Sequence, residues 1–235
     1  MKQLYAFLLL VLSFNMYSQN YFEGIVEYNV EIKFPDHFKN SNGENIEDID
    51  KLYDTLSNLK KLYYICKNGN YVITPKLNSK VKQLYLSKIN TIYFFKDNLV
   101  VAANASVDLE STIGKKPTVE LLTNESIVNG INCRVVKVAW KLGTYYYYYN
   151  SDFLKINNEP FKFHTYDMWN KYLEIAKCLP LKIIKEINGF STTTLTFKKM
   201  KIKSIKNSVF NLPAMNENLE LSRYKQPHEK VYIIE

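Results

Sequence analysis

The chain has 235 residues and a formal net charge of +8, from 31 basic and 23 acidic side chains. With 46% hydrophobic and 23% charged residues, its composition argues against an intrinsically disordered protein. The lysines are spread along the chain and do not cluster, so the charge indicates a solvated surface, and we expect no nucleic-acid partner. Tyrosine is abundant, with 19 copies beside 13 phenylalanines, and this bias favours β-strands.

The first residues have the pattern of a secretory signal peptide. Lys2 supplies a positive charge, residues 4–12 form an almost unbroken apolar run, and small and polar residues follow it. We expect cleavage after Ser18, so that residues 1–18 are the signal peptide and residues 19–235 form a single domain. The alternative is a membrane anchor, but the run is shorter than the roughly 20 apolar residues that span a bilayer. We therefore predict an exported protein, in the periplasm, at the cell surface or secreted, that does not span the membrane.

The first half of the chain predicts a strand, a helix and then a meander of short strands. Residues 24–34 alternate apolar and polar side chains, which predicts a strand with one buried and one wet face. Apolar residues at helical spacing over 45–61 predict an amphipathic helix that begins at Asn45 and lies on the dry face of the sheet. Short apolar segments between turn residues then indicate antiparallel strands. These segments cover residues 63–67, 71–74, 83–87, 91–96 and 99–103.

The second half of the chain also predicts short strands and one short helix. If the five tyrosines at 145–149 form a strand, Tyr146 and Tyr148 lie on one face and the other three lie on the opposite face. A second short helix is expected within 165–178. The remaining predicted strands cover residues 118–122, 133–141, 181–187, 192–205 and 231–234. The pattern predicts a mostly β (α+β) fold, a strongly curved antiparallel sheet or half-barrel of about ten strands, with one or two helices on its concave face.

Signatures of catalysis and metal binding are missing from the sequence. His37, His164 and His228 are far apart, and the chain has neither an H-E-x-x-H nor a G-x-S-x-G motif. Cys178 lies near His164 in the sequence, but apolar neighbours make a structural or disulfide role for this thiol more plausible than a nucleophilic one. We therefore expect a protein that is not an enzyme and that has no cofactor and no metal.

The chain contains 3 cysteines, Cys66, Cys133 and Cys178, and no C-x-x-C pair. Outside the cytoplasm, two of them can form a disulfide and leave one thiol over. The candidate pair is Cys133 with Cys178, although the sequence does not fix the connectivity.

The excess of aromatic residues is the feature of the composition that points most directly to a function. Aromatic side chains combine a large apolar area with a polar tip, so a set of them can line a cavity for an apolar ligand. Plain core packing and cross-strand tyrosine pairs are the alternative role for the same residues. The candidates for a cavity lining are Trp140, Tyr146, Tyr148, Trp169 and Phe197.

Several short segments together resemble the GLPGLI family of exported Bacteroidetes proteins. Residues 129–134, with Gly130 and Cys133, resemble the I-x-G-y-x-C-x-x segment of that family, and residues 178–183 resemble the motif for which it is named. Cys178 and Leu181 stand where that motif has glycines, and Lys182 stands where it has a leucine. The further segments that fit are 24–28, 148–152 and 210–213. The three replacements in the motif, at Cys178, Leu181 and Lys182, indicate a sister group similar to the lipoprotein carriers, or LolA-like proteins.

That resemblance implies a half-barrel whose helices cover an apolar concave face. It also implies a lipid or another hydrophobic ligand in the cavity, an inference that rests on analogy of fold. The alternative from a different class is a structural or interaction protein of the cell envelope, which binds an envelope protein partner and no small ligand.

Overall fold

The computed structural model describes residues 21–35, 58–107, 117–140, 143–226 and 228–235. The predicted signal peptide and residues 45–57 of the predicted first helix lie outside these ranges, and both remain predictions. The end of that helix was placed too late, because Lys61 already begins a strand that pairs with the first strand of the sheet.

The described part of the chain forms one antiparallel sheet of thirteen strands. The strands are β1 (Gly24–Lys33), β2 (Lys61–Lys67), β3 (Asn70–Thr74), β4 (Lys82–Leu86), β5 (Thr91–Lys96), β6 (Leu99–Asn104), β7 (Thr118–Val128), β8 (Ile131–Trp140), β9 (Gly143–Tyr149), β10 (Lys182–Ile187), β11 (Ser191–Ile202), β12 (Met215–Glu217) and β13 (Glu229–Ile234). Their spatial order is β12-β13-β6-β5-β4-β3-β2-β1-β11-β10-β9-β8-β7. Within the described ranges β7 and β12 do not pair with each other, so the sheet is open. The mostly β, antiparallel prediction is confirmed, and the half-barrel curvature stays a prediction.

Strand β1 holds the two halves of the sheet together. It pairs with β2 on one side and with β11 on the other, so strands β2 to β6 lie on one side of it and strands β7 to β11 lie on the other. The register against β11 shifts between Glu27 and Tyr28, which marks a bulge in the ladder. The alternating pattern of this segment predicted the strand correctly, although not its position between the two halves of the sheet.

Two short α-helices accompany the sheet in the described residues. Helix α1 (Trp169–Ala176) confirms the helix that was expected within 165–178, and a 3-10 turn at Tyr166–Met168 leads into it. The ring of Tyr172 on α1 stacks on Tyr147 of β9, with 4.6 Å between ring centroids, so the helix packs on one face of the sheet. Helix α2 (Leu219–Ser222) and the short strand β12 were not predicted, because the sequence around them is polar.

The sheet is covered on both faces over strands β2 to β5. The face that carries α1, called the helix side here, holds a large apolar core that includes Tyr64, Tyr71 and Tyr85. The opposite face holds a second core, in which Ile65, Val72 and Leu84 are among the residues that pack beneath a C-terminal segment. The expectation of one wet face was therefore wrong for these strands, because successive apolar residues such as Tyr64 and Ile65 point to opposite faces.

Candidate functional site

A cavity of about 200 Å³ lies on the helix side, between the sheet and the segment that leads into α1. Aromatic rings form much of its wall. Tyr28, Tyr64 and Tyr71 come from three neighbouring strands, Tyr147 comes from β9, and Trp169 is the first residue of α1. Aliphatic side chains complete the lining, namely Leu62, Ile73, Leu179, Ile183 and Leu195. The space is therefore predominantly apolar.

A ladder of stacked tyrosines supports one side of the cavity. The rings of Tyr64 and Tyr71 stack at 5.1 Å between centroids, and those of Tyr71 and Tyr85 do so at the same distance. Tyr71 and Tyr85 face each other directly in the register of β3 and β4. Phe161 stacks on Tyr85 from the other side of the core, at 5.8 Å. Such cross-strand aromatic contacts stabilise a sheet and fix the orientation of the rings.

The cavity wall also contains a hydrogen-bonded chain of three polar side chains, of which Tyr71 and His164 are buried and Gln83 is half-buried. The Gln83 amide nitrogen donates to the hydroxyl of Tyr71 over 3.2 Å, and that hydroxyl is 2.8 Å from Nε2 of His164. Burial lowers the pKa of His164 to about 4, although the nearby Asp167 carboxylate acts in the opposite direction. At neutral pH the imidazole is therefore uncharged, with one N–H and one acceptor nitrogen.

The turn before α1 closes the cavity, and two of its residues have a left-handed backbone conformation. Asp167 and Met168 both have positive φ, at 55° and 53°, which is uncommon for residues other than glycine. Two contacts from the sheet hold Asp167 in place. Its carboxylate accepts from Nζ of Lys185 at 2.6 Å, and its backbone carbonyl accepts from the hydroxyl of Tyr147 at 3.0 Å. The turn thus depends on the sheet below it for its shape.

Of the five side chains predicted to line a cavity, the structure brings Trp169 to it. The alternation of the tyrosine run was predicted correctly, but Tyr146 and Tyr148 occupy the face away from the cavity, where Lys182 lies over the Tyr148 ring. Their partners in the run, such as Tyr147, are buried on the helix side because β9 packs against α1 there. A ligand-binding role for Tyr146 and Tyr148 stays a prediction.

The other two candidates lie outside the cavity, where Phe197 is buried in the apolar core and Trp140 is partly buried against it. Trp140 packs edge-on against Tyr145, with 4.2 Å between ring centroids. Phe197 is opposite Tyr28 in the sheet and meets the ring of Phe153 edge-on at 5.4 Å. Both have the core-packing role that was weighed as the alternative, and ligand binding by either of them is untested.

Sequence reasoning missed the polar residues of the cavity wall. Gln83 and Lys185 sit on strands at positions that face the helix side, and a polar residue on an apolar face is the signal that could have identified them. His164 was classed as a loop histidine, but the phenylalanines at 161 and 163 place it in an apolar sequence that fits its burial. Neither signal predicts that these three side chains line the same cavity, since that depends on the pairing of strands that are far apart in the sequence.

The three cysteines are free and buried thiols. Burial raises the pKa of Cys66 and that of Cys178 to about 12, and it also raises the pKa of Cys133. The predicted pairing of Cys133 with Cys178 stays a prediction. Within the described ranges, no group of three or more His, Cys, Asp or Glu side chains is placed to hold a metal ion.

In the part of the chain that the structure describes, we find no helix with both the length and the apolar character needed to cross a membrane.

No family model matches the chain, and no curated protein matches it. Among solved structures, the chain is similar to PNGF-II in two crystal forms, with TM-scores of 0.41 and 0.38 and sequence identities of 14% and 12%. Each match covers 80% of this chain and 30% of the PNGF-II chain, so the protein spans about a third of the length of that relative.

A LolA superfamily protein from Nitrosomonas europaea is also similar, with a TM-score of 0.37 and 11% identity. That match covers 82% of this chain and 91% of the other. Membership of the GLPGLI family or of a LolA-like sister group stays a prediction.

Proposed function

We propose that this protein binds a hydrophobic or amphipathic ligand, lipid-like in the broad sense, in the cavity between the sheet and the turn before α1. The observation that carries the proposal is the cavity itself, a space of about 200 Å³ whose wall is mostly aromatic and aliphatic. Binding sites for small molecules are typically apolar spaces with a few polar groups, and this cavity has that composition.

The aromatic wall suits binding because its rings are held by other contacts. Tyr71 is stacked between Tyr64 and Tyr85, and Tyr147 is fixed by Tyr172 and by its hydrogen bond to Asp167. A ligand that enters therefore loses little free energy to ordering the side chains that surround it.

We further propose that the protein is not an enzyme and needs no cofactor. Among the titratable groups at the cavity, Lys185 pairs with Asp167 and His164 is hydrogen-bonded to Tyr71. With a pKa of about 4, His164 is also poorly matched to general base catalysis near neutral pH.

The finer assignment is an exported envelope protein of a group related to the GLPGLI family, with a half-barrel like that of LolA. Its support is the signal-peptide pattern of residues 1–18 and the segments quoted above. Expression of the full chain in a Bacteroidetes host tests it by the intact mass of the product. A chain that begins at Gln19 in an extracytoplasmic fraction supports export, and an uncleaved chain in the cytoplasm contradicts it.

Native mass spectrometry tests ligand binding, with organic extraction of the denatured protein. We expect a discrete small adduct that is released on denaturation. Ile73→Phe places a larger side chain in the cavity and is expected to abolish the adduct. Ile127→Phe is the matched control, since Ile127 lies on β7 and is 73% exposed, and it is expected to retain the adduct. A wild-type protein that is bare and takes up no added apolar probe contradicts the proposal.

The second candidate function is an interaction protein of the envelope without a small ligand. One surface favours it, because Met200 and Ile202 near the end of β11 are exposed apolar side chains, and Ile202 is 72% exposed. Purification from the native host distinguishes the two functions. A stable protein partner that is lost in Ile202→Asp, together with an empty cavity, supports the interaction protein.

A further inference from the structure

A second cavity lies next to the proposed ligand site, which is called the first cavity from here on. The second cavity has a volume of about 340 Å³, and its wall includes Phe22, Cys66, Ile156 and Phe161. Of the residues that line the two cavities in the described ranges, Tyr64 alone belongs to both. From this position we infer that Tyr64 closes the first cavity and limits its ligand to a compact molecule. The inference rests on the proposed binding function and narrows it to a size class.

Strand β2 shows how the two cavities are arranged. Alternate residues of a strand point to the same face and lie about 7 Å apart. On the helix side of β2 these residues are Leu62, Tyr64 and Cys66. Leu62 and Tyr64 line the first cavity, whereas Tyr64 and Cys66 line the second. The cavities therefore follow one another along β2, and Tyr64 lies at their boundary.

The neighbours of Tyr64 in the sheet are smaller than Tyr64 itself. In the register of the sheet, Tyr64 faces Val26 of β1 on one side and Ile73 of β3 on the other. Valine and isoleucine end closer to the backbone than a tyrosine ring does, and side chains of a strand stand roughly perpendicular to the sheet. The Tyr64 ring is therefore the group that fills the boundary at this level of the sheet.

The Tyr64 ring is fixed by its packing. Tyr64 is 7% exposed, and its ring stacks on that of Tyr71 at 5.1 Å between centroids. Tyr71 lines the first cavity, and its ring also stacks at 6.4 Å on Phe161, which lines the second. Rings that are stacked in a close-packed core have little freedom to move. The three rings therefore form an aromatic partition between the cavities, and Tyr64 is the member that lines both.

The aromatic partition sets an upper size for the ligand. The first cavity has a volume of about 200 Å³. An apolar cavity of about 150 Å³ holds benzene with its six carbons, so by proportion the first cavity holds about eight carbon atoms. Drug-sized ligands need roughly 300–1,000 Å³, which the first cavity offers only if it joins the second. With the Tyr64 ring in place, a longer chain cannot extend along β2, and the ligand is therefore compact.

Isothermal titration calorimetry with 1-hexanol, 1-octanol and 1-decanol tests the inference. Each methylene group that becomes buried raises the affinity about fourfold, so affinity increases with chain length until the cavity is full. We expect the wild-type protein to bind octanol about tenfold more tightly than hexanol. We expect less than a twofold further gain from octanol to decanol, because the added methylene groups find no apolar space beyond Tyr64.

Matched variants identify the residue that sets the limit. Tyr64→Ala opens the aromatic partition and is expected to bind decanol about tenfold more tightly than octanol. Tyr85→Ala is the control, because the Tyr85 ring also stacks on Tyr71 at 5.1 Å and is buried, yet it lines neither of the two cavities in the described ranges. It is expected to keep the wild-type limit. Tyr64→Leu and Tyr85→Leu repeat the comparison with a smaller loss of packing if an alanine variant fails to fold.

The outcomes separate this inference from the proposed function. A wild-type affinity that still rises tenfold from octanol to decanol would overturn the inference, because the first cavity would then not be closed. A limit that persists in the Tyr64 variants, or that is lost equally in the Tyr85 variants, would also overturn it. Each of these results leaves the proposed apolar site intact, since the alcohols bind. If none of the three alcohols binds the wild-type protein, both the inference and the proposed function fail.

Discussion

Tyr71 and His164 are 93 residues apart in the chain, and the Tyr71 hydroxyl lies 2.8 Å from Nε2 of His164. Tyr71 belongs to β3 in the interior of the sheet, and His164 lies in the segment that leads into α1. The contact therefore ties that segment to the sheet at the wall of the cavity. Because both side chains are buried, each depends on the other for its hydrogen bond.

Tyr71→Phe is expected to lower the free energy of unfolding by about 1–3 kcal/mol, because it leaves polar atoms of Gln83 and His164 without their partner. Urea unfolding followed by circular dichroism measures the change. Tyr64→Phe is the matched control on the neighbouring strand. It removes a hydroxyl that has no partner in the described structure, so we expect unchanged or slightly increased stability. Equal losses in the two variants would contradict the assigned network.

The burial of His164 predicts a dependence of stability on pH. Its pKa falls from 6.5 to about 4 on folding. Between these values the unfolded chain binds a proton that the folded protein excludes, so stability is present above about pH 6.5 and is lost as the pH falls towards 4. The contribution of this group amounts to about 3 kcal/mol over that interval.

Comparison of the wild-type protein with His164→Gln at pH 7 and pH 4.5 isolates this contribution. Carboxylates titrate in both proteins, so the difference between the two pH profiles reports on His164. We expect the variant to lose less stability than the wild-type protein on acidification. The same loss in both would show that His164 is not excluded from protonation by burial.

The ion pair of Lys185 with Asp167 is expected to stabilise the turn before α1 modestly. The two side chains are 28% and 25% exposed, so solvent screens the pair, and we expect a coupling energy of about 1 kcal/mol that decreases with salt. A double-mutant cycle with Lys185→Met and Asp167→Asn measures it. Asparagine tolerates the positive φ of 55° at this position, so the cycle reports on the charge. A coupling energy of zero at low salt would contradict the contact.

Thiol reactivity tests the burial of the cysteines. Because burial raises the pKa of Cys66 and Cys178 to about 12, few of these thiols are ionised near neutral pH. We expect iodoacetamide to label none of the three cysteines in the folded protein. Labelling of all three after unfolding without reductant would show free thiols, as in the described structure, and would contradict the predicted disulfide. Labelling of a single cysteine after unfolding would show that the other two form a disulfide, and peptide mapping would then test the predicted pair.

The strands could be predicted from the sequence where turn residues separate clear apolar segments. β5 was predicted with its observed bounds, 91–96, and β1 to within one residue. β7 was predicted to end at Leu122 but continues to Val128, because the ladder with β8 resumes after an irregularity between Leu122 and Ser126. A local pattern does not reveal such a continuation, since it depends on the partner strand.

The site could be predicted only in its general character. The excess of aromatic residues left an apolar cavity and plain core packing both open, and the alternation of the tyrosine run separated its two faces correctly. Which of those faces is turned to the cavity depends on α1 packing against Tyr147, and the sequence carries no signal for that choice. The same holds for Gln83 and His164, which both contact the Tyr71 hydroxyl only because of the long-range order of the strands and loops.

Ligand binding at the cavity can be measured most directly by tryptophan fluorescence, because the chain has 2 tryptophans and Trp169 lines the cavity while Trp140 does not. Trp140→Phe leaves Trp169 as the reporter, and Trp169→Phe leaves Trp140. Titration with α-methylstyrene is predicted to change the emission of the first variant in a saturable way and to leave the emission of the second unchanged. No saturable change in the first variant, or the same change in both, would contradict a ligand site at this cavity.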